Sequence, residues 1–527
     1  MPAGARPDIL IVLADQLAPS ALPCYGSAVT RAPALTALAE SGVVFDAAYT
    51  ASPLCAPARA SLMTGLLPSR TGTYDNAAEF SSGIPTFAHY LREAGYRTVL
   101  AGKMHFCGPD QLHGFEERLT TDIYPADYGW TPDWDRPGDR PSWYHDMSSV
   151  TDAGPCVRSN QLDFDDEVAF AAERSMFARI RSRDERPACH VVSFSHPHDP
   201  YTIGRKWWDL YRDEDIPLPR FGYEEASAHP HERRLREVCA MNGVEITRDQ
   251  VRAARRAYYG EISYVDDLIS RLTGLLRETG RLGNTVVIVT SDHGDMLGER
   301  GAWYKMSCYE GSARVPLIVS APALFAPGRV RTAVSTMDLL PTLVGLAHDG
   351  DPPGVVGPLD GRSLLPHLSG TPDRDEVVAE YLAEGATAPI VMIRRGQHKF
   401  IHSPADPDQL FDLVADPDER SNLAGDPASA GLVEQFRQEV AARWDLESLN
   451  RDVRLSQRRR RAVSTALGIG TQTSWDFAPA YGAAQRYIRS HMDLGDLEQL
   501  ARFPPVPRGT RLSHDGIGSD QAWQAEP

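Results

Sequence analysis

Two short acidic stretches stand at the ends of apolar runs: Asp15-Gln16 closes Asp8–Ala14, and Asp292-His293-Gly294-Asp295 closes Thr285–Ser291. Carboxylate oxygens from two separate segments, joined by an amide oxygen and an imidazole nitrogen, are the donors a hard divalent cation takes. Asp15, Gln16, Asp292 and His293 are therefore candidate metal ligands. Taken singly, either Asp reads as a helix cap, and it is the combination that carries chemistry. Between them lies Cys55-Ala56-Pro57-Ala58-Arg59, a candidate nucleophile close to a guanidinium. Three further stretches hold cationic or proton-transferring groups: Gly102-Lys103-Met104-His105, His196-Pro197-His198-Asp199-Pro200, and Lys305 with Tyr309-Glu310-Gly311 behind it. A metal and several cations around one thiol suit an anionic substrate at contact distance.

The elements that must position these groups form an α/β pattern. Asp8–Ala14, Arg97–Ala101, Cys189–Ser195, Thr285–Ser291 and Val315–Ser320 read as strands of a large, mainly parallel sheet flanked by helices. Ligands of open parallel sheets sit beyond the carboxyl ends of the strands, where the acidic stretches fall. The clearest helix is Arg248–Glu278, opened by Thr247-x-x-Gln250 as a capping box and leading into the Thr285 strand. The Pro- and Gly-rich stretch Pro352–Pro358 is a connector. Beyond it, short strands at Val377–Leu382, Ile390–Arg395, His398–His402 and Gln409–Leu413 precede a helix over Ala428–Asp445, a smaller α+β domain. The expected domains are 1–375, 376–463 and an extended tail, 464–527, whose Trp475, Phe477, Tyr481, Tyr487 and Phe503 suit packing on the body or on a neighbouring subunit. Arg458–Arg461 reads as a solvated helix end or subunit contact.

The chain has 527 residues and a net charge of −17, a poor balance for general nucleic-acid or anionic-membrane binding. No apolar run approaches the roughly 20 residues that span a bilayer. The run Ile9–Ala14 lacks a basic lead and reads as a buried strand rather than a signal peptide, so a cytoplasmic location is expected. Seven dispersed Cys without a Cys-x-x-Cys pair argue against a disulfide framework or a structural zinc site.

Cys55-x-Pro57-x-Arg59 followed by Ser61-Leu62-Met63-Thr64-Gly65 resembles the sulfatase signature of the alkaline phosphatase superfamily, and the Lys103, His198, Asp292 and Lys305 stretches follow in the order sulfatases use. The resemblance implies an alkaline-phosphatase-like fold and oxidation of Cys55 to formylglycine by a maturation enzyme. It also implies one divalent metal, with Ca²⁺ first and Mg²⁺ or Mn²⁺ as alternatives, because Asp-Gln and Asp-His replace the carboxylate-richer pairs of many sulfatases. The hydrated aldehyde at Cys55, itself a metal ligand, would attack sulfur and later expel sulfate. Arg59, Lys103 and Lys305 would hold the sulfuryl oxygens, and His105 or His198 would transfer protons.

Tyr74–Phe80, Gly102–Glu116, Ile123–Asp127 and Met492–Glu498 narrow the likeness to choline sulfatases, implying choline sulfate as substrate, while the aromatic tail, unfavourable if left exposed, is expected to join a homo-oligomer. Asn76 falls in the first of these stretches. Trp130 and Tyr144-His145 are candidate contacts for the trimethylammonium, with Trp134 and Trp143 as alternatives, and Glu384 is the candidate counter-charge, with Glu380 the runner-up. A phosphonate monoester or phosphodiester hydrolase, and an oxyanion-binding protein with Cys55 unmodified, are the competing readings.

Overall fold

The computed structural model describes residues 6–140, 143–348, 354–471, 474–480, 498 and 502–504. They fall in two compact units, one within Met1–Ala172 and Arg186–Ala478 and one within Glu173–Glu185 and Pro479–Pro527. The sheets and the site belong to the first.

Asp8–Ala14 is buried at every position, as a strand covered on both faces must be, and lies inside a nine-stranded sheet. It pairs in parallel with Ala188–Phe194 on one side and Thr285–Thr290 on the other, with Ala14 opposite Phe194 and Leu13 opposite Thr290. Arg97–Gly102 continues the parallel run, Gly102 facing Ser193. In-register parallel strands end together, so the residues after Ala14, Gly102, Phe194 and Thr290 emerge at one edge. That shared edge brings sequence-distant side chains together.

Val315–Ser320 makes the sheet mixed. Pro316, which has no N–H to give a ladder, splits it into Arg314–Val315 and Leu317–Ser320, and both run antiparallel to their neighbours. Val43–Tyr49, Gly328–Ser335 and Glu117–Arg118 are further strands of this sheet. The helix Arg248–Glu278 forms as read, its Thr247–Gln250 capping box closed by both side chains. Gly102 has φ +102°, and a Cβ there would lie 1.9 Å from Ser193 O, so only glycine lets the chain cross the neighbouring strand and present Lys103.

Glu376–Tyr381, Ile390–Arg395, His398–Ser403 and Asp406–Asp412 form a four-stranded antiparallel sheet. Its Val391, Ile393, Phe400 and Leu410 pack against Val433, Phe436 and Val440 of the helix Ala430–Arg443. A second helix, Leu446–Leu467, follows almost at once. The four arginines 458–461 lie within it rather than at a solvated end, and Arg460 is 6% exposed. Among the described residues no helix is long and apolar enough to cross a membrane.

Candidate active site

Cys55 opens the helix Cys55–Thr64, all ten residues of which are buried. Asn76 Oδ1 accepts from Ala56 N at 2.9 Å, satisfying one of the free amides of the first turn. Arg59, one turn on, reaches across the strand ends. Its Nε donates to Asp292 Oδ2 at 2.8 Å, Nη2 to Asp15 Oδ2 at 3.1 Å, and Nη1 to Ser193 Oγ at 2.9 Å and to the Lys103 carbonyl. The guanidinium is thus committed to the two acids, where it can position residue 55, and is not among the cavity-lining side chains.

Asp15, Cys55, Asp292 and His293 each offer a donor atom, all within 4.8 Å of one another. His293 Nε2 is 3.2 Å from Cys55 Sγ, 3.8 Å from Asp15 Oδ1 and 3.7 Å from Asp292 Oδ2. Asp15 Oδ1 is buried without a hydrogen-bond partner, and a buried carboxylate oxygen left bare is costly unless something else satisfies it. An unpartnered oxygen amid carboxylate and imidazole donors fits a divalent ion. Gln16, at φ 63°, donates its N–H to Asp292 Oδ1 at 3.2 Å. Its Oε1 accepts from Lys305 Nζ at 2.8 Å and its Nε2 donates to Asp295 Oδ2 at 2.7 Å, so its side chain ties Lys305 in place.

Charge at the centre is tightly balanced. Burial pushes the Asp15 carboxyl up, but Lys103, which forms a salt bridge to Oδ2, together with His198 and Arg59 outweighs it and lowers the group to about 2. For the Cys55 thiol burial likewise acts upward, and Lys103, Lys305 and His293 overcome it, leaving the group well below the ordinary thiol range. His293 loses by burial and gains more from Asp292 and Cys55, so its proton is held more tightly than usual. Position 55 is built to carry negative charge.

His105 follows a strand end at φ 56°, fixed by Asp122, whose Oδ2 accepts from Met104 N at 2.9 Å and His105 N at 2.8 Å. The His105 ring lies by Cys55 and helps hold its thiol low, while neither ring nitrogen forms a hydrogen bond of good geometry. His198 Nδ1 is 2.7 Å from the Asp199 carbonyl, which fixes the N–H there and leaves Nε2 to accept from Lys305 Nζ at 2.8 Å. Sequence reasoning passed over Asp199 itself. Its buried carboxylate lies 3.3 Å from both His145 Nδ1 and His198 Nδ1, and the signal was its place directly after His198.

A cavity of about 200 Å³ opens from this centre. Cys55, Lys103, His105, His198 and Lys305 line it together with Asn76, Tyr124, Trp130, Trp143, Tyr144, His145, Asp199 and Glu384. Trp130 and Trp143 face each other nearly parallel, with centroids 6.0 Å apart, and Tyr144 meets Trp143 edge-on at 4.2 Å. Burial lifts Glu384 to about 7, with Asp75 adding to the shift and Lys305 opposing it. The other two side chains weighed for this region do not reach it. Trp134 is buried with its Nε1 donating to Ala383 O, and Glu380 is held by Ser69 and by Trp444 Nε1. The tail aromatics Trp475 and Phe477 pack on Tyr128 and Arg118, whereas Tyr481 and Tyr487 lie outside the described residues.

Comparison with known proteins follows this geometry. The family model described as Sulfatase matches residues 7–349, and that described as Choline sulfatase enzyme C terminal matches residues 451–503. The choline-sulfatase of Rhizobium meliloti (strain 1021) is 49% identical over 510 residues, spanning 95% of this chain and 99% of its own. An arylsulfatase of Clostridium perfringens is 28% identical over 78% of this chain and 90% of its own. The solved phosphonate monoester hydrolase of Agrobacterium radiobacter shares the fold with a TM-score of 0.66 at 24% identity, covering 84% of this chain and 96% of its own.

Proposed function

We propose, from the premise that the chain belongs to the sulfatase family, that this sulfuric ester hydrolase cleaves choline O-sulfate to choline and sulfate. One observation carries the choice of substrate. The cavity joins Lys103 and Lys305 with the aromatic rings of Tyr124, Trp130, Trp143 and Tyr144 and with two buried carboxylates, Asp199, which pairs with His145 and His198, and Glu384, which lies by Tyr144. A sulfate monoester with a trimethylammonium group presents the complementary charges, and quaternary nitrogen, having no N–H, is bound by aromatic faces and a carboxylate.

Asp15, Asp292, His293 and residue 55 would hold the divalent ion, Ca²⁺ first; when bound it acts as a Lewis acid, neutralising sulfuryl charge and acidifying the attacking group. Formylglycine at position 55, made by a maturation enzyme, would supply that nucleophile as its hydrate. Lys103 and Lys305 meet the non-bridging oxygens where negative charge gathers, in a dry site where such contacts are strong. Arg59 keeps the two acids fixed. Departing choline needs a proton, and the His198–Lys305 pair holds one between Lys305 Nζ and His198 Nε2 on the cavity wall. His105, whose ring acts on the group at position 55, serves proton transfer there. The same reading divides the chain into a catalytic domain 1–375, a domain 376–463 and a tail 464–527 forming a subunit contact in a cytoplasmic homo-oligomer.

Glu384→Gln tests it. The expected loss in kcat/KM is about 100-fold for choline sulfate, where a desolvated charge pair is lost, and under about 5-fold for an aryl sulfate lacking the ammonium. Equal proportional losses on both, with folding intact, would remove Glu384 from the ammonium site.

A further inference from the structure

No residue of the helix Leu446–Leu467 lines the cavity, yet the helix is tied to three of the loops that wall it. Its inward face, Val453, Gln457 and Arg460, follows helical spacing, but the last two of these buried side chains are polar. Arg460 Nη1 and Nη2 each donate to one oxygen of Asp75 at 2.7 Å, and Nη1 also reaches Thr131 Oγ1 at 3.1 Å. Asp75 precedes Asn76, and Thr131 follows Trp130. Asp75 Oδ1 takes Ala77 N at 3.0 Å as well, so the chain is pinned on both sides of Asn76. One turn earlier, Gln457 Oε1 accepts from Trp134 N at 2.9 Å, and Trp134 Nε1 donates at 2.9 Å to Ala383 O, beside Glu384. Arg454 Nη2 donates to Thr387 O at 2.7 Å at the far end of that loop.

A guanidinium is a rigid planar fork whose donors are all met only when every acceptor is in place. We propose that Arg460 is a positioning residue for substrate selection: by bridging Asp75 and Thr131 it sets the spacing of the Asn76 and Trp130 loops, and with Gln457 and Arg454 it aligns both with the Glu384 loop. The proposal rests on the reading of this wall as the ammonium site. The sulfuryl end hangs on the strand ends of the central sheet and is fixed independently by Arg59. It meets the wall where Asn76 Oδ1 accepts from Ala56 N, where Asp199 lies between His145 and His198, and where the Trp130 ring meets His105 edge-on.

The test compares Arg460→Met and Arg460→Lys with the unaltered enzyme in two assays. One is steady-state kinetics on choline sulfate and on an aryl sulfate without an ammonium group; the other is competitive inhibition by tetramethylammonium and by inorganic sulfate. Arg460→Met is expected to raise KM for choline sulfate and the inhibition constant of tetramethylammonium roughly 10-fold, leaving the constants for aryl sulfate and inorganic sulfate within about 3-fold. Lysine can reach Asp75 but cannot fork to Thr131, so Arg460→Lys recovers part of the loss. Asp75→Asn gives a loss of the same kind, and combining it with Arg460→Met adds little, as expected of groups that act as a unit. Should Arg460→Met fail to fold, Arg460→Lys and Gln457→Leu decide. Equal losses on both substrates, or unchanged tetramethylammonium inhibition in folded Arg460→Lys and Gln457→Leu, would overturn the proposal. An unaltered enzyme that turns over aryl sulfate but neither hydrolyses choline sulfate nor binds tetramethylammonium would overturn the substrate reading and this proposal with it. Normal choline selectivity indifferent to Arg460 would overturn the positioning role alone.

Discussion

At residue scale the most consequential group is Glu384, lifted by burial to about 7 against an ordinary 4.5. Its charge is what draws a cation, so kcat/KM for choline sulfate should rise with pH through a limb near 7. That limb should be absent in Glu384→Gln and absent for aryl sulfate in both proteins, as pH–rate profiles will show. The linked stability runs the other way. A raised carboxyl binds its proton more tightly folded than unfolded, so the contribution is fully present below the ordinary 4.5 and is lost as pH rises through about 7. A bound cation reverses this, and the increase in Tm given by tetramethylammonium should be larger at pH 8 than at pH 6. Asp15 makes a second residue-scale case, because its buried Oδ1 has no hydrogen-bond partner. Asp15→Asn should abolish stoichiometric divalent metal, measured by elemental analysis of the purified chain, and lower turnover by more than about 100-fold.

Among the elements, the close passage of the strands Arg97–Gly102 and Ala188–Phe194 makes the sharpest forecast. Gly102→Ala puts a methyl against Ser193 O and requires φ +102° of an L side chain. The cost should be about 1–3 kcal/mol by urea unfolding, together with lost activity as Lys103 is displaced. What the sequence made legible at this scale follows one rule. Asp8–Ala14, Cys189–Ser195 and Thr285–Ser291 are continuous apolar runs that end in chemistry, so both strand and site residues could be read directly. Val43–Tyr49 was hidden by Asp46, whose carboxylate meets Arg329 of the neighbouring strand Gly328–Ser335. That neighbour was hidden in turn by its exposed Arg329 and Arg331 at the sheet edge. The helix Leu446–Leu467 gave little apolar period because its inward face ends in Gln457 and Arg460. The site showed the same division: the metal-donor and proton-transfer candidates were local motifs, whereas the directions of Arg59 and Gln16 depend on which strand ends lie opposite, and pairing, not spacing, decides that.

For the whole molecule, a net charge of −17 surrounds a site that must admit a sulfate ester. Choline sulfate is a zwitterion without net charge and should arrive indifferent to that field, whereas an aryl sulfate anion is repelled until salt screens it. The ratio of kcat/KM for choline sulfate to that for aryl sulfate should therefore fall as NaCl rises from about 20 to 300 mM; taking the ratio cancels competition by chloride at the shared sulfuryl end. One feature described above also sets a clock. Cys55 is 1% exposed at the start of a helix with no exposed residue and is reached only from a cavity of about 200 Å³, which admits a small ester but leaves no room for the peptide segment to enter the active site of a modifying enzyme. Under the proposed maturation, oxidation has to win a race against closure of the core during synthesis. The losers are permanent: molecules of identical fold, silent for their lifetime, whose share is fixed by rates in the first minutes of existence and by nothing that can be added afterwards.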